Sequence, residues 1–313
     1  MVSLTVLNEE ETRSNVAGKP RTGRSKRRST RSAIGFLTPA TLILAIFVLW
    51  PVARSFWVSL TNDDGFTTPR FVGLHNYVSA FHSSRFRGAL VHTIEYAVVT
   101  TPVSIALAVA LAYFLNQDLP LRGLIRAAIF LPFVASLGIT AIAWTAMLDP
   151  QIGFVSGSLS HLGISLGDGL RDPSLALPLV MVVGVWRNVG FFMILYLAGL
   201  QSIPKEVYEA ARLDGAGRIR TFRSITWPLL ANTTMFASMI AVIFSLQVFD
   251  QVYVMTAGGP YFKSETLVML VFDTGINNYQ LGYASALSWI LIAILLVASG
   301  LQLRLFKNRT VQY

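Results

Sequence analysis

Six stretches of this 313-residue chain are long and apolar enough to cross a bilayer as helices. They fall at about 34–60, 89–115, 124–148, 175–200, 229–256 and 283–306. Runs such as "TLILAIFVLW" and "WILIAILLVA" are continuously apolar. A membrane barrel would alternate polar and apolar residues within each short strand. Backbone amides in lipid must be bonded within the segment, so the reading is six membrane helices and an all-α fold. Composition agrees: 53% of residues are hydrophobic and 13% charged, against about 25% charged in ordinary soluble domains.

The net charge of +9 then reads as topology. With the N-terminus inside, the inner segments hold eighteen of the 25 Lys and Arg residues. Positive charge collects on the cytoplasmic side, so the expectation is a multi-pass membrane protein with both termini in the cytoplasm. Residues 1–33 are basic and lack an apolar face, which predicts a disordered cytoplasmic tail. Residues 34–308 then form the transmembrane domain and 309–313 a short inner tail. The first apolar run is too long for a signal-peptide core, so it is expected to stay as a span.

Several chemistries find no support. The chain has no cysteine, which removes disulfides, thiol catalysis and Cys-ligated metals. His75, His82, His92 and His161 lack metal-ligand spacing. "GKPRTGRS" (Gly18 to Ser25) imitates a phosphate-binding loop but has Arg24 in place of the lysine, an internal Pro20 and no flanking strand or helix. Asp63–Asp64 and the Glu9–Glu11 run sit in a loop and a tail without apolar shielding. No nucleophile–base motif is visible. The chain is expected to bind no cofactor and to catalyse no reaction.

Between the fourth and fifth runs lies "EAARLDGAGRIRTFRSITWP", Glu209 to Pro228. Pro204 suits the first turn of a helix. Lys205 and Glu209 are i, i+4 neighbours, and Gly215 permits a left-handed cap. A second helix, "RIRTFRSI", would place Ile219, Phe222 and Ile225 on one face. Pro228 would end it or open the next span. The spacing predicts a helix, a glycine turn and a helix on the cytoplasmic face, with Ala210 and Ala211 small enough for another surface to approach. From physics alone, a hairpin packed on its own bundle and the lipid headgroups is an equal reading.

This stretch, extended to "LQSIPKEVYEAARLDGAGRIRTFRSITWPLL", resembles the EAA loop of the MalF-type carbohydrate permeases, membrane subunits of ATP-binding-cassette importers. The matching residues are Glu209, Ala210, Ala211, Asp214, Gly215, Ala216, Phe222, Ile225 and Pro228. "VWRNVGFFMILYLAGLQSIP" and "FDQVYVMTAGGP" resemble the flanking spans, and the likeness covers about 34–308. It implies that Glu209, Ala210, Ala211, Asp214 and Gly215 form a coupling helix docking on an ATPase subunit. It also implies a second homologous permease, two ATPase subunits that bind ATP and Mg, and an extracytoplasmic solute-binding protein. Trp227 stands where the family has Leu, and Asn232 where a second Pro often occurs.

Charges at membrane depth are costly and usually face a bundle interior or a water-filled path. Arg187, Asn188 and Phe191 share a helix face, as do Phe244, Gln247 and Gln251; Ser245 and Asp250 lie nearby. The resemblance places the substrate path between these two spans, and aromatic rings with amides suit a sugar. The competing reading is a structural ion pair of Arg187 with Asp250 or Glu95. Arg187 also admits an anionic substrate such as a glycerophosphodiester or sugar phosphate. The alternatives from other classes are an ion-coupled secondary transporter using Asp250 and Arg187, and an integral membrane enzyme.

Overall fold

The computed structural model describes residues 36–306; the tails expected at 1–33 and 309–313 lie outside the described residues. The chain divides into two units, residues 1–55 and 56–313. Helix α1 (Phe36–Ser59) runs across that division and contains a π-helical turn at Ala45–Leu49. Most of its side chains up to Ser55 are exposed, including Phe47, Leu49 and Trp50. A run this apolar with no buried side in the chain suits contact with lipid tails.

In the second unit the helices are α2 (His75–His82), α3 (Ser84–Leu115), α4 (Arg122–Val134), α5 (Leu137–Met147), α6 (Phe154–His161) and α7 (Ala176–Gln201). After them come α8 (Lys205–Leu213), α9 (Arg218–Thr221), α10 (Ala231–Leu246), α11 (Asp250–Met255), α12 (Leu267–Phe272) and α13 (Leu281–Phe306). No strand ladder occurs among the described residues, only an isolated bridge between Thr61 and Phe71. Five helices are long and apolar enough to cross a membrane: α1, α3, α7, the α10–α11 stretch Ala231–Met255, and α13.

The expected third span is not one straight helix. Helices α4 and α5 meet at an angle of 98°. Pro132 removes an amide donor from the last turn of α4, and Ala135 and Ser136 are extended. The two pieces together make a sixth candidate span or a re-entrant segment. The fifth segment is interrupted too, at Gln247–Phe249 between α10 and α11. Helix α3 starts at Ser84, earlier than the apolar run predicts, because the Ser83 hydroxyl caps it by accepting from the Phe86 amide at 3.3 Å.

Helix α7 is the most buried of the spans. Its main neighbour is α3, and a cluster of Ala108, Ala112, Leu115, Phe192, Met193 and Tyr196 joins them, with Ala237 and Ala241 of α10 closing the third side. Small residues let membrane helices approach closely, which replaces the hydrophobic drive that lipid cannot supply. At Gly190 a Cβ would collide with the Ile129 backbone carbonyl of α4. At Gly184 it would collide with the Tyr96 hydroxyl of α3.

The connection from α11 to α13 is held to α3 by charge. The Arg85 guanidinium donates to Glu265 at 2.9 and 2.6 Å and to Asp273 at 2.6 Å. Its Cζ lies 4.3 Å from the Phe262 ring centroid. Glu265 is buried. Burial pushes its carboxyl above the ordinary carboxylate range, and Arg85 pulls it part of the way back. Removing one partner of a fully buried pair typically costs about 3–5 kcal/mol. Arg85 keeps 31% of its side chain exposed, so Glu265→Ala is expected to lose less, about 2–3 kcal/mol. Chemical unfolding in detergent measures this, and the Glu265→Ala, Arg85→Ala double variant should recover part of the loss.

Candidate functional site

Two features stand out, an open cavity where two helix breaks meet and a surface hairpin. The cavity has a volume of about 310 Å³ and is lined by Arg187 and Asn188 from α7 and by Phe244, Gln247, Asp250 and Gln251 around the α10–α11 break. Tyr96 of α3, Phe133 and Leu137 at the α4–α5 bend, Val248 and Phe249 complete it. The two helix breaks leave polar groups beside this cavity; inside a bilayer, irregular backbone is tolerated only beside a cavity or other protein.

Arg187 makes only long contacts: Nη1 donates to Asn188 Oδ1 at 3.2 Å and Nη2 to the Phe133 carbonyl at 3.4 Å. Its Cζ lies 5.1 Å from the Phe133 ring centroid, a cation–π arrangement. Its Nε is buried without a partner. Asp250 lines the same cavity. The ion pairs considered from sequence are not formed: among the described residues Arg187 bridges neither Asp250 nor Glu95, and Glu95 is exposed on α3. Packing explains this, because Arg187 is directed across the Phe133 face instead. A cationic and an anionic group thus face one cavity with free hydrogen-bonding capacity, beside the rings of Phe133 and Phe244.

Two predicted pathway residues stand behind the lining. Phe191 stacks on Phe133 with centroids 4.6 Å apart and an interplanar angle of 20°. Ser245 is buried and bonds Thr100 and Thr101 at 3.0 and 3.2 Å, stitching α10 to α3. Sequence reasoning passed over Tyr96 and Phe133 and used Gln251 only as a face-mate of Gln247. The Tyr96 hydroxyl donates to Gln251 Oε1 at 2.9 Å and fixes that wall. The usable signal was the interruption "LPFVASLG", since broken apolar segments mark membrane-depth sites.

The hairpin is built from α8 and α9. Helix α8 ends in a paired cap: Ala216 N–H donates to the Ala211 carbonyl at 2.9 Å and Gly215 N–H to that of Arg212 at 3.0 Å. This Schellman arrangement needs a left-handed residue, and Gly215 has φ +72° with open space around it. Helix α8 has three faces. Val207 packs against the core and Ala211 is buried. Glu206, Ala210 and Leu213 are exposed outward, Leu213 at 89%. Lys205, Tyr208, Glu209 and Arg212 line a cleft toward α3.

This divides the predicted coupling set. Glu209, Ala210, Asp214 and Gly215 are exposed; Ala211 is packed inside the chain and offers no surface to a partner. Lys205 and Glu209 form no ion pair. The single face expected for Ile219, Phe222 and Ile225 is also broken. Ile219 is 78% exposed, whereas Phe222 meets Tyr113 edge-on at 5.3 Å. Ile225, like Phe222, is half-buried, so only Ile219 leaves the face. A π-helical turn at Phe222–Thr226 carries the chain helically through Pro228. Trp227 is partly exposed, 6.4 Å from the Phe222 ring.

A family model described as binding-protein-dependent transport system inner membrane component matches residues 22–310. The chain belongs to that family. The permease is 33% identical over 273 residues to the trehalose/maltose transport system permease protein MalF of Thermococcus litoralis, covering 86% of this chain and 92% of the relative. It is 31% identical over 275 residues to the sn-glycerol-3-phosphate transport system permease protein UgpA of Agrobacterium fabrum, covering 87% and 94%. A solved bacterial ABC transporter involved in the import of the acidic polysaccharide alginate contains a chain of the same fold, with TM-score 0.79 and 22% identity over 92% of this permease and 99% of that chain. The resemblance read from the EAA stretch is therefore correct at the level of the family, and the permease is a multi-pass membrane protein.

The chain lacks cysteine, so introduced thiols report exposure cleanly. A cysteine at Asn188 or Gln247 should react with a charged methanethiosulfonate at least about ten times faster than one at Ser245, since reactivity follows access. Equal rates would remove the cavity.

Proposed function

We propose that this permease is the membrane subunit of an ATP-binding-cassette importer for a carbohydrate or a related polyol or glycerophosphate compound. A homologous second permease completes the path, two partner ATPases hydrolyse ATP below it, and a solute-binding protein delivers substrate above. The observation that carries the reading is the exposed, glycine-capped hairpin between two apolar helices of a chain in this family. Six spans, with α4 and α5 counted as one bent crossing, put both termini and the hairpin on the same side. The excess of Lys and Arg there makes that side the cytoplasm.

The face of α8 carrying Glu206, Ala210 and Leu213 is the surface for the ATPase, with Glu209, Asp214 and Gly215 at its edge. Helix α8 leads back into α7 through Pro204, and the π turn leads forward into α10. Motion of the hairpin thus reaches both walls of the inner cavity. There Arg187, Asn188, Gln247 and Asp250 supply hydrogen bonds to hydroxyls, and Phe133 and Phe244 supply stacking faces. The relatives' names span neutral disaccharides and a phosphorylated polyol, and Arg187 suits either.

Two substitutions test this in the reconstituted transporter. Gly215→Val places a β-branched residue in the left-handed region; ATP hydrolysis should persist while uptake falls by about ten-fold or more. Full uptake by an assembled variant overturns the docking assignment. Arg187→Met should reduce glycerol phosphate uptake far more than maltose uptake if the guanidinium reads an anion; a tenfold difference is about 1.4 kcal/mol. Equal loss for both makes Arg187 structural.

A further inference from the structure

The cleft beside α8 has a volume of about 930 Å³ and is open on one side. One wall is the C-terminal end of α3, the other the hairpin. Its lining is part apolar and part cationic. Ala110 contributes from α3, with Val109 and Leu200 nearly buried behind. Lys205, Arg212 and Arg218 contribute from the hairpin with a single carboxylate, Glu209. None of these three cations forms an ion pair among the described residues. Tyr113 and Phe222 also line it, ring against ring.

We propose that this cleft holds an anionic phospholipid. The phosphate sits on Lys205, Arg212 and Arg218, and an acyl chain lies along Ala110, Tyr113 and Phe222. The argument is the complementarity of one cavity to both parts of such a lipid. Unneutralised cations recognise a phosphate through charge-assisted hydrogen bonds. Basic pockets between membrane helices at the headgroup level take such lipids. The chain lines the cleft from Ala110 and Tyr113 in the last turns of α3, which ends at Leu115, to Asn116 and Gln117 just beyond it, so the cleft lies where an apolar helix leaves the hydrocarbon. Aromatic residues at that depth are the usual interfacial anchors. The basic residues before position 34 have the same sign as the cleft, which rules against this chain's own N-terminal segment as occupant. The inference rests on the chain being a membrane permease, and not on the hairpin's coupling role.

The test uses the whole transporter, purified with its partner subunits and exchanged through an equimolar mixture of phosphatidylglycerol and phosphatidylcholine. Native mass spectrometry reads the retained lipid. Wild type should retain phosphatidylglycerol over phosphatidylcholine by about five-fold or more. Lys205→Gln, Arg212→Gln and Arg218→Gln together should bring that ratio near one. Ala110→Trp, which fills the acyl part of the cleft and keeps the charges, should also lower retention, and it serves if the triple variant fails to assemble. No preference in wild type, or an unchanged preference in both variants, overturns the proposal. A photo-crosslinker at Tyr113 that captures an ATPase subunit rather than lipid overturns it as well.

Discussion

Helix α7 packs so closely on α3 and α4 that two of its positions admit no side chain, and much of the molecule follows from this. Gly184 makes room for the Tyr96 hydroxyl and Gly190 for the Ile129 carbonyl. In lipid, helices gain little from burying apolar surface, so close van der Waals packing carries association. The approach at Gly190 holds the end of α4 against α7. That sets Phe133 against both Phe191 and Arg187. The approach at Gly184 fixes Tyr96, and through it Gln251 on the far wall. The inner cavity exists because these contacts leave a gap where α4 and α11 are broken.

The gap leaves Arg187 and Asp250 facing one cavity without a direct ion pair. A low-dielectric interior makes an unsatisfied polar group expensive, yet Arg187 has a buried Nε without a partner and only long bonds elsewhere. The outer cluster of Arg85, Glu265 and Asp273 shows the opposite solution, with short bonds from one guanidinium to two carboxylates. One arrangement braces a loop; the other leaves hydrogen-bonding capacity facing a cavity. The hairpin repeats the contrast on the surface, since α8 buries Val207 and Ala211, exposes Leu213 and turns its cations into a cleft.

The helical membrane fold and the position of the hairpin were legible because both depend on local rules. Long apolar runs can only be helices in lipid, and Gly215 marks a turn that only a left-handed residue closes. Half of the inner site was also legible: Arg187, Asn188, Phe244, Gln247 and Asp250 line one cavity as their helix faces require. Ser245 and Phe191 share those faces yet stand behind the lining, because a helix face says which way a side chain points and not what it meets.

The sequence by itself determined the family, the apolar segments and the polar hairpin between them, since composition and short-range spacing fix these. Tertiary structure alone decided that the third apolar run folds at 98°, that Arg187 turns to Phe133 rather than to Asp250, and that Ala211 is an internal contact. It also brought Arg85 to Glu265 across 180 positions of chain. Each of these depends on which helix lies beside which, and that is set by side-chain volume and close approach at positions such as Gly184 and Gly190, not by hydropathy.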